Sequence, residues 1–324
     1  MKHDDSAIES APSPLSTGVG WGFVGVVAFS LTVPLTRVAV GGGSDAMPVL
    51  FVGAGRAVVA AVLATLALSV TRQRFPRGYQ WSRVAVVACG VVLGFPLLTS
   101  VALRTLPASH GAVVIGLLPA VTAVCAVLRV GERPGRLFWA AALGGACAAV
   151  AFTVVQGGFG GVGAADLLLF GAVLAAAIGY AEGGLLAREL GAWQTVSWAL
   201  VLSAPVMSVL TWLSVDGQMP HVGVAAWSAF AYLGVVSMFL GFFAWYRGLA
   251  IGPMARVSQV QLVQPVLTIG WAMVLLGERI TWQTALGGGA VVSCALLAVR
   301  TRAGRIRLFR ANRPQFEAPT RMSG

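Results

Sequence analysis

The chain has 324 residues, 57% of them hydrophobic and only 10% charged, with a formal net charge of +11. A soluble domain carries charge on about a quarter of its residues, so this chain has too few polar groups to face water on all sides, and a water-soluble globule is excluded. The positive excess is no nucleic-acid signature, because the basic residues lie between apolar runs and at the C-terminal end, where they report membrane topology.

Residues 1–18 are polar, with Asp4, Asp5 and Glu9 against a single lysine, unlike the basic start of a signal peptide. They read as a short disordered cytoplasmic tail. Runs of about 20 apolar residues, the length a helix needs to cross the hydrocarbon core, then follow near 19–40, 47–70, 84–106, 109–130, 137–156, 164–187, 193–214, 222–247, 254–276 and 282–300. The expected fold is an all-α integral membrane protein of ten spans. Residues 301–324 form a basic tail that lies on anionic headgroups.

With the N-terminus in the cytoplasm, 18 of the 22 lysines and arginines fall in cytoplasmic segments or their flanks. Arg37, Arg104 and Arg279 fall outside, and Arg56 lies within a span. Positive residues resist translocation, so both termini are expected in the cytoplasm, with the chain in the plasma membrane.

The stretch LLPAVTAVCAVLRVGER around Pro119 recurs as LVQPVLTIGWAMVLLGER around Pro265. Pro, Thr, Ala, Gly, Glu and Arg match at a constant offset, from Pro119/Pro265 through Arg133/Arg279. An A-L-G-G run follows each copy, at Ala142–Gly145 and Ala285–Gly288. The repeat spans five helices, an odd number, so equivalent helices of 19–156 and 157–300 must point in opposite directions. Inverted repeats of this kind are a device of secondary transporters, which bind substrate near the bilayer midplane and open either side in turn.

These paired motifs, with the opening stretch GFVGVVAFSLTVPLTR (Gly22–Arg37), resemble the EamA repeat of the drug/metabolite transporter superfamily across residues 19–300. The resemblance implies ten helices, cytoplasmic termini, and export or exchange of amino acids, metabolites or toxic compounds. The second half departs from the pattern where its opening helix carries GYAEGG (Gly179–Gly184).

Glu182 is the carboxylate deepest in a span, and charge at membrane depth marks functional candidates. It either binds a proton or cation, or forms a structural pair with Arg56 or snorkels toward Arg188. Arg56 either holds an anionic substrate group such as a carboxylate or serves as a fixed counter-charge. Ser258, Gln261 and Gln264, three residues apart, place polar groups on one helix face before Pro265. His110 occupies the comparable place before Pro119 and either titrates or forms an interfacial hydrogen bond. Pro119 and Pro265 each free a backbone carbonyl, and Tyr180 lies along the candidate pathway. The glycine pairs Gly90/Gly94, Gly179/Gly183 and Gly248/Gly252 fit close helix packing, and Glu132 and Glu278 fit helix ends.

The four cysteines lie in apolar runs without C-x-x-C or neighbouring histidine, so neither a metal nor a cofactor is expected. The expected partners are a small-molecule substrate, lipid and protons, with the protein a monomer or homodimer and no nucleic acid. The leading reading is a secondary transporter of small metabolites. A membrane-embedded enzyme or a channel is the alternative. Three histidines and no P-loop leave little for catalysis, and no filter motif marks a channel.

Overall fold

Hydrocarbon offers a peptide group no hydrogen bond, so an apolar run must enter it as a helix with its backbone satisfied internally. The computed structural model describes residues 14–41, 46–131, 135–157, 162–215, 219–251 and 258–311, with backbone alone for 14–16, 130, 249–251, 258, 259 and 301–311. Among these residues nine helices have the length and apolarity of a full span: α1 (Thr17–Val40), α2 (Val49–Val70), α3 (Gln80–Ala102), α4 (Ala108–Arg129), α5 (Arg136–Gln156), α6 (Ala164–Leu190), α7 (Ala192–Leu213), α8 (Val224–Gly248) and α10 (Trp282–Arg300). A shorter apolar helix, α9 (Val260–Leu276), completes the ten. Its upstream neighbours, 252–257, lie outside the described residues, as do Glu132 and residues 1–13 and 312–324.

The observed bounds depart from the apolar runs where a polar residue finds a partner inside. The third helix begins at Gln80 rather than near residue 84 and carries Arg83 into the protein, and the sixth continues past residue 187 to Leu190. Helix also begins at Pro14, within the stretch expected to be disordered, and the helix of α10 runs on to Ala311.

Equivalent helices of the two halves share their irregularities. The half-helices Leu118–Val130 in α4 and Gln264–Leu276 in α9 are each 13 residues long, each begins next to its proline, and each ends on a left-handed glycine, Gly131 or Gly277. Both α3 and α8 widen into π-helical turns at mid-membrane, over Ala88–Gly94 and Tyr232–Leu240. Such turns recur at functional sites because they break the regular ladder.

Helix α1 breaks at Leu31, three residues before Pro34. A proline has no N–H for the carbonyl four residues back, and the freed oxygen of Ser30 accepts the Thr268 hydroxyl of α9 at 2.9 Å. The lost backbone bond is thus replaced across the two halves.

Large aliphatic side chains such as Val62, Leu66, Leu143, Leu167, Val274 and Leu286 face outward, where lipid replaces water. Inside, one buried cluster around Val113, Leu169 and Leu233 and another around Val84, Leu186 and Met207 meet at Tyr180, which packs against both. Close helix approach sets α3 on α6: a Cβ on Gly90 would lie 2.3 Å from the carbonyl oxygen of Ala175. Gly90→Ala is therefore expected to push α3 off α6 and destabilise the fold by about 1–3 kcal/mol. Gly289→Ala, in open space, should change little. Thermal unfolding of the purified protein followed by tryptophan fluorescence compares the two, and equal melting temperatures would contradict the close packing.

Candidate functional site

Helices α1, α2, α3, α4, α6, α8 and α9 enclose a cavity of about 30 Å³, room for a few waters. Its walls come from both halves in matched pairs. Phe29 and Ala176, Val33 and Tyr180, Val91 and Met238, and Phe95 and Phe242 are each 147 residues apart, and all eight line the cavity. Leu118 and Gln264 stand at the same position of α4 and α9 in the sequence repeat, immediately before Pro119 and Pro265. Gly116 and Pro265 approach there as well, since a Cβ on Gly116 would lie 3.3 Å from the proline ring.

Two polar side chains interrupt the matching. Arg56 lines the cavity yet is only 1% exposed. Its guanidinium donates to the hydroxyls of Thr36 and Thr99, each at a long 3.4 Å, while those hydroxyls donate to the carbonyls of Thr32 and Phe95. Arg56 Nε is buried with no hydrogen-bond partner, and Arg56 makes no ion pair among the described residues. Gln264 Oε1 is likewise buried and unpartnered. An unpaired charge at membrane depth costs several kcal/mol, which sets Arg56 apart from the other residues of the cavity wall. Beside them, Thr32 and Ser237 share a 2.7 Å hydrogen bond between α1 and α8.

Toward the face where α1 begins and α10 ends, aromatic rings close the cavity. Phe242 packs on Phe29 at 4.8 Å, on Tyr180 at 6.1 Å and on Tyr246 at 6.0 Å between ring centres. Beyond the rings lies Glu182, about 12 Å from the end of α6 at 1.5 Å per residue. It is buried and doubly paired: Arg83 Nε of α3 donates to Oε1, and Arg129 Nε of α4 donates to Oε2 at 2.7 Å. Arg83 also donates to Glu189, which accepts from Tyr79 at 3.1 Å. The network ties α3 and α4 of the first half to α6 of the second. Arg56 has no part in it, so the pairing of Glu182 with Arg56 weighed from sequence is replaced by Arg83 and Arg129, which lie at the same membrane depth as Glu182.

Toward the opposite face the closures differ. His110 Nε2 and Asp166 Oδ1 lie 2.7 Å apart, both buried, joining α4 to α6, with Phe152 packed on the imidazole at 4.9 Å. Asp166 Oδ2 accepts the Gly163 N–H at 2.9 Å. Glu278 accepts the backbone N–H groups of Ala108 and Ser109 at 2.7 and 2.8 Å, capping α4 where the helix dipole favours an anion. Arg37 donates to the carbonyls of Leu103 and Arg104 at the end of α3.

Of the sequence-chosen residues, Arg56, Tyr180 and Gln264 meet at the cavity. Pro265 adjoins it through Gly116, and Pro119 follows its Leu118 wall. Glu182 and His110 stand on opposite sides of it, the first in ion pairs with Arg83 and Arg129 and the second in a hydrogen bond with Asp166. Gln261 is buried but does not line the cavity, and the Ser258 side chain lies outside the described residues. Sequence reasoning missed Thr36 and Thr99, Asp166, and the walls at Phe29, Phe95, Ser237, Met238 and Phe242. The signal present was the 147-residue spacing itself, which, applied to the opening helices and to α3 and α8, pairs the wall residues.

The EamA-like transporter family matches this chain twice, over residues 16–154 and 163–300. The two matches begin 147 residues apart, the spacing of the cavity pairs. The uncharacterized transporter YdeK of Bacillus subtilis is 43% identical over 283 residues, covering 87% of this chain and 97% of that protein. A probable terminal-alkyne amino-acid exporter of Streptantibioticus cattleyicolor is 26% identical over 286 residues, covering 87% of this chain and 93% of that one. A solved crystal structure shares the fold with a TM-score of 0.61 at 22% identity, over 91% of this chain and 99% of that one. Two family matches that together take in nearly every described residue, with a close full-length relative, establish that this ten-helix membrane protein belongs to the EamA-like transporter family.

Proposed function

We propose that the chain is a secondary active transporter that moves small metabolites such as amino acids across the plasma membrane by alternating access through the central cavity, as an exporter or exchanger. The observation that carries this reading is the cavity's paired lining. Equivalent residues of two inverted halves face one another there, so exchanging the conformations of the halves opens the same site to the other side. The amino-acid exporter among the relatives supports the substrate range.

In this reading both termini lie in the cytoplasm, because Arg72, Arg74, Arg77, Arg83, Arg129, Arg136, Arg188 and Arg247 all stand on the face where α1 begins and α10 ends. Reporters fused to either end should be active only in the cytoplasm. A terminus reported outside would overturn the topology and, with it, the assignment of faces.

Glu182 then serves as a cytoplasmic gate rather than a proton carrier. Both of its oxygens are taken up by guanidinium donors, and the pairs bind α6 to α3 and α4 only while that face is closed. Glu182→Gln removes the charge at nearly constant volume, and losing a charge-assisted bond of this kind costs about 1.5–3 kcal/mol. In a background without the native cysteines, a cysteine at Ala176 reports the result. Its labelling by a membrane-impermeant maleimide from the cytoplasmic side should speed up by about tenfold or more in the Gln variant. Unchanged labelling would remove the gate from the mechanism.

A further inference from the structure

The linker between α2 and α3, residues 71–79, carries three arginines on the face where α1 begins and α10 ends. Arg72, Arg74 and Arg77 line an open pocket of about 470 Å³ there, the size of a small-molecule site. None of the three makes an ion pair among the described residues. Glu189, the single carboxylate among the lining residues, does not balance them. Arg83 already donates to its Oε1, and Tyr79 and Gln80 donate to its Oε2 at 3.1 and 3.4 Å.

The arginines stand on a built scaffold. Helix α2 ends in a stop where the Gln73 N–H reaches back to the Leu68 carbonyl at 3.0 Å and Arg72 takes the left-handed conformation, at φ 49°. Glycine is the usual residue there, because a side chain strains that conformation, yet here the position carries a guanidinium. The Gln73 side chain accepts from Gln194 of α7 at 3.1 Å, and the Phe75 ring packs on Trp198 of the same helix at 4.9 Å. The Arg77 N–H donates to the Gln80 side chain at 2.9 Å. Like charges are thus fixed around one pocket, and an anion placed among them relieves their repulsion.

The surroundings say what carries the anion. Val62, Leu66 and Val70 stand four residues apart on α2 and face outward, an apolar stripe that ends two residues before Arg72. Phe75 and Tyr79, 70% and 67% exposed, set aromatic rings beside the arginines, as at a membrane–water interface. A soluble anion gains nothing from the stripe. A phospholipid lays an acyl chain along it and brings its phosphate to guanidinium groups, which match phosphate oxygens. A zwitterionic headgroup adds an ammonium that the arginines repel. Basic pockets between helices at a bilayer surface take anionic headgroups.

We propose that this pocket binds an anionic phospholipid, with Arg72, Arg74 and Arg77 on the phosphodiester and an acyl chain on the Val62, Leu66 and Val70 stripe. The site is separate from the central cavity and depends on the membrane fold, not on the transport reading.

Full-length protein, stripped of lipid in an uncharged detergent, is titrated with one of three probes, and bound probe is counted by native mass spectrometry. The probes are phosphatidylglycerol, phosphatidylcholine with the same acyl chains, and glycerophosphoglycerol, which is the anionic headgroup without its chains. The wild type should retain phosphatidylglycerol, with the other two weaker by about tenfold or more. Arg74→Gln with Arg77→Gln should weaken phosphatidylglycerol by about 10- to 30-fold, the effect of two lost surface charges. Arg136→Gln with Arg300→Gln removes two charges from the same face outside the pocket and should leave retention nearly unchanged. All four side chains are exposed, and melting temperatures without lipid verify that both variants are folded.

Equal retention of the two lipids by the wild type would overturn the proposal. So would unchanged retention in the pocket variant, or equal losses in the two variants, which would leave only the diffuse attraction of a basic face. Displacement of phosphatidylglycerol by glycerophosphoglycerol at equal concentration would make this a soluble-anion pocket and overturn the lipid assignment. Each of these outcomes leaves transport through the central cavity untouched.

Discussion

A polar group buried in hydrocarbon without a partner is the costliest feature a membrane protein can carry, and the layout of this one follows from paying that cost almost everywhere. Where Pro34 deprives the Ser30 carbonyl of its backbone partner, Thr268 supplies a hydroxyl, and Trp271 donates to the Ser30 side chain at 3.0 Å. Where α4 begins, Glu278 takes up two N–H groups that no helical turn can reach. The bonds that repair these breaks run between the first half and the second. Helix irregularity is therefore converted into contacts between the two halves, and the orphaned atoms Arg56 Nε and Gln264 Oε1 stand out against that background.

The symmetry of the walls has a mechanical consequence. With Phe29, Val33, Val91 and Phe95 facing Ala176, Tyr180, Met238 and Phe242, the site is bounded by similar surfaces on either side of the pseudo-twofold axis. On the proposed reading, a rearrangement that exchanges the roles of the halves preserves much of the wall while changing which face is sealed. The seals themselves are not symmetric. On one face charged side chains, Glu182 with Arg83 and Arg129, join the halves. On the other, a carboxylate caps backbone N–H groups and His110 meets Asp166. Under alternating access as proposed, similar walls with dissimilar seals would give the two faces different opening costs.

The fold was legible in the sequence because its signals are collective. Ten apolar runs and a repeated proline motif each draw on many residues, and local exceptions do not erase them. The site was legible only in part. Arg56 and Glu182 announce themselves as charges in apolar runs, but their partners do not. Arg83 and Arg129 look like boundary residues and count toward topology, yet both reach inward to Glu182. Asp166 stands in the first turn of α6, where an acidic residue is expected for capping, and its oxygens divide between that role and His110. The cavity walls are ordinary apolar residues, and pairing them requires the five-helix repeat to be carried from the proline motifs to the opening helices. The π-helical turns of α3 and α8 have no composition signature, since they arise from packing and not from residue type.

A carrier has to cross its occluded state more readily with substrate than without, or it dissipates the gradient it uses. An equilibrium shifts only by the difference in a ligand's affinity for the two states. In the closed arrangement Arg56 is walled off from water, with long bonds to two hydroxyls in place of a full solvation shell. On the proposed reading, closure without substrate leaves that guanidinium with two long hydroxyl bonds and room for only a few waters, so part of its desolvation cost at membrane depth stays unmet. An anionic ligand removes the cost at the moment of closure, and it does so most in the state where water is least available. On the proposed reading, the buried charge is thus more than a recognition point. It penalises the empty transition and relieves the loaded one, and so ties movement of the two halves to the presence of cargo.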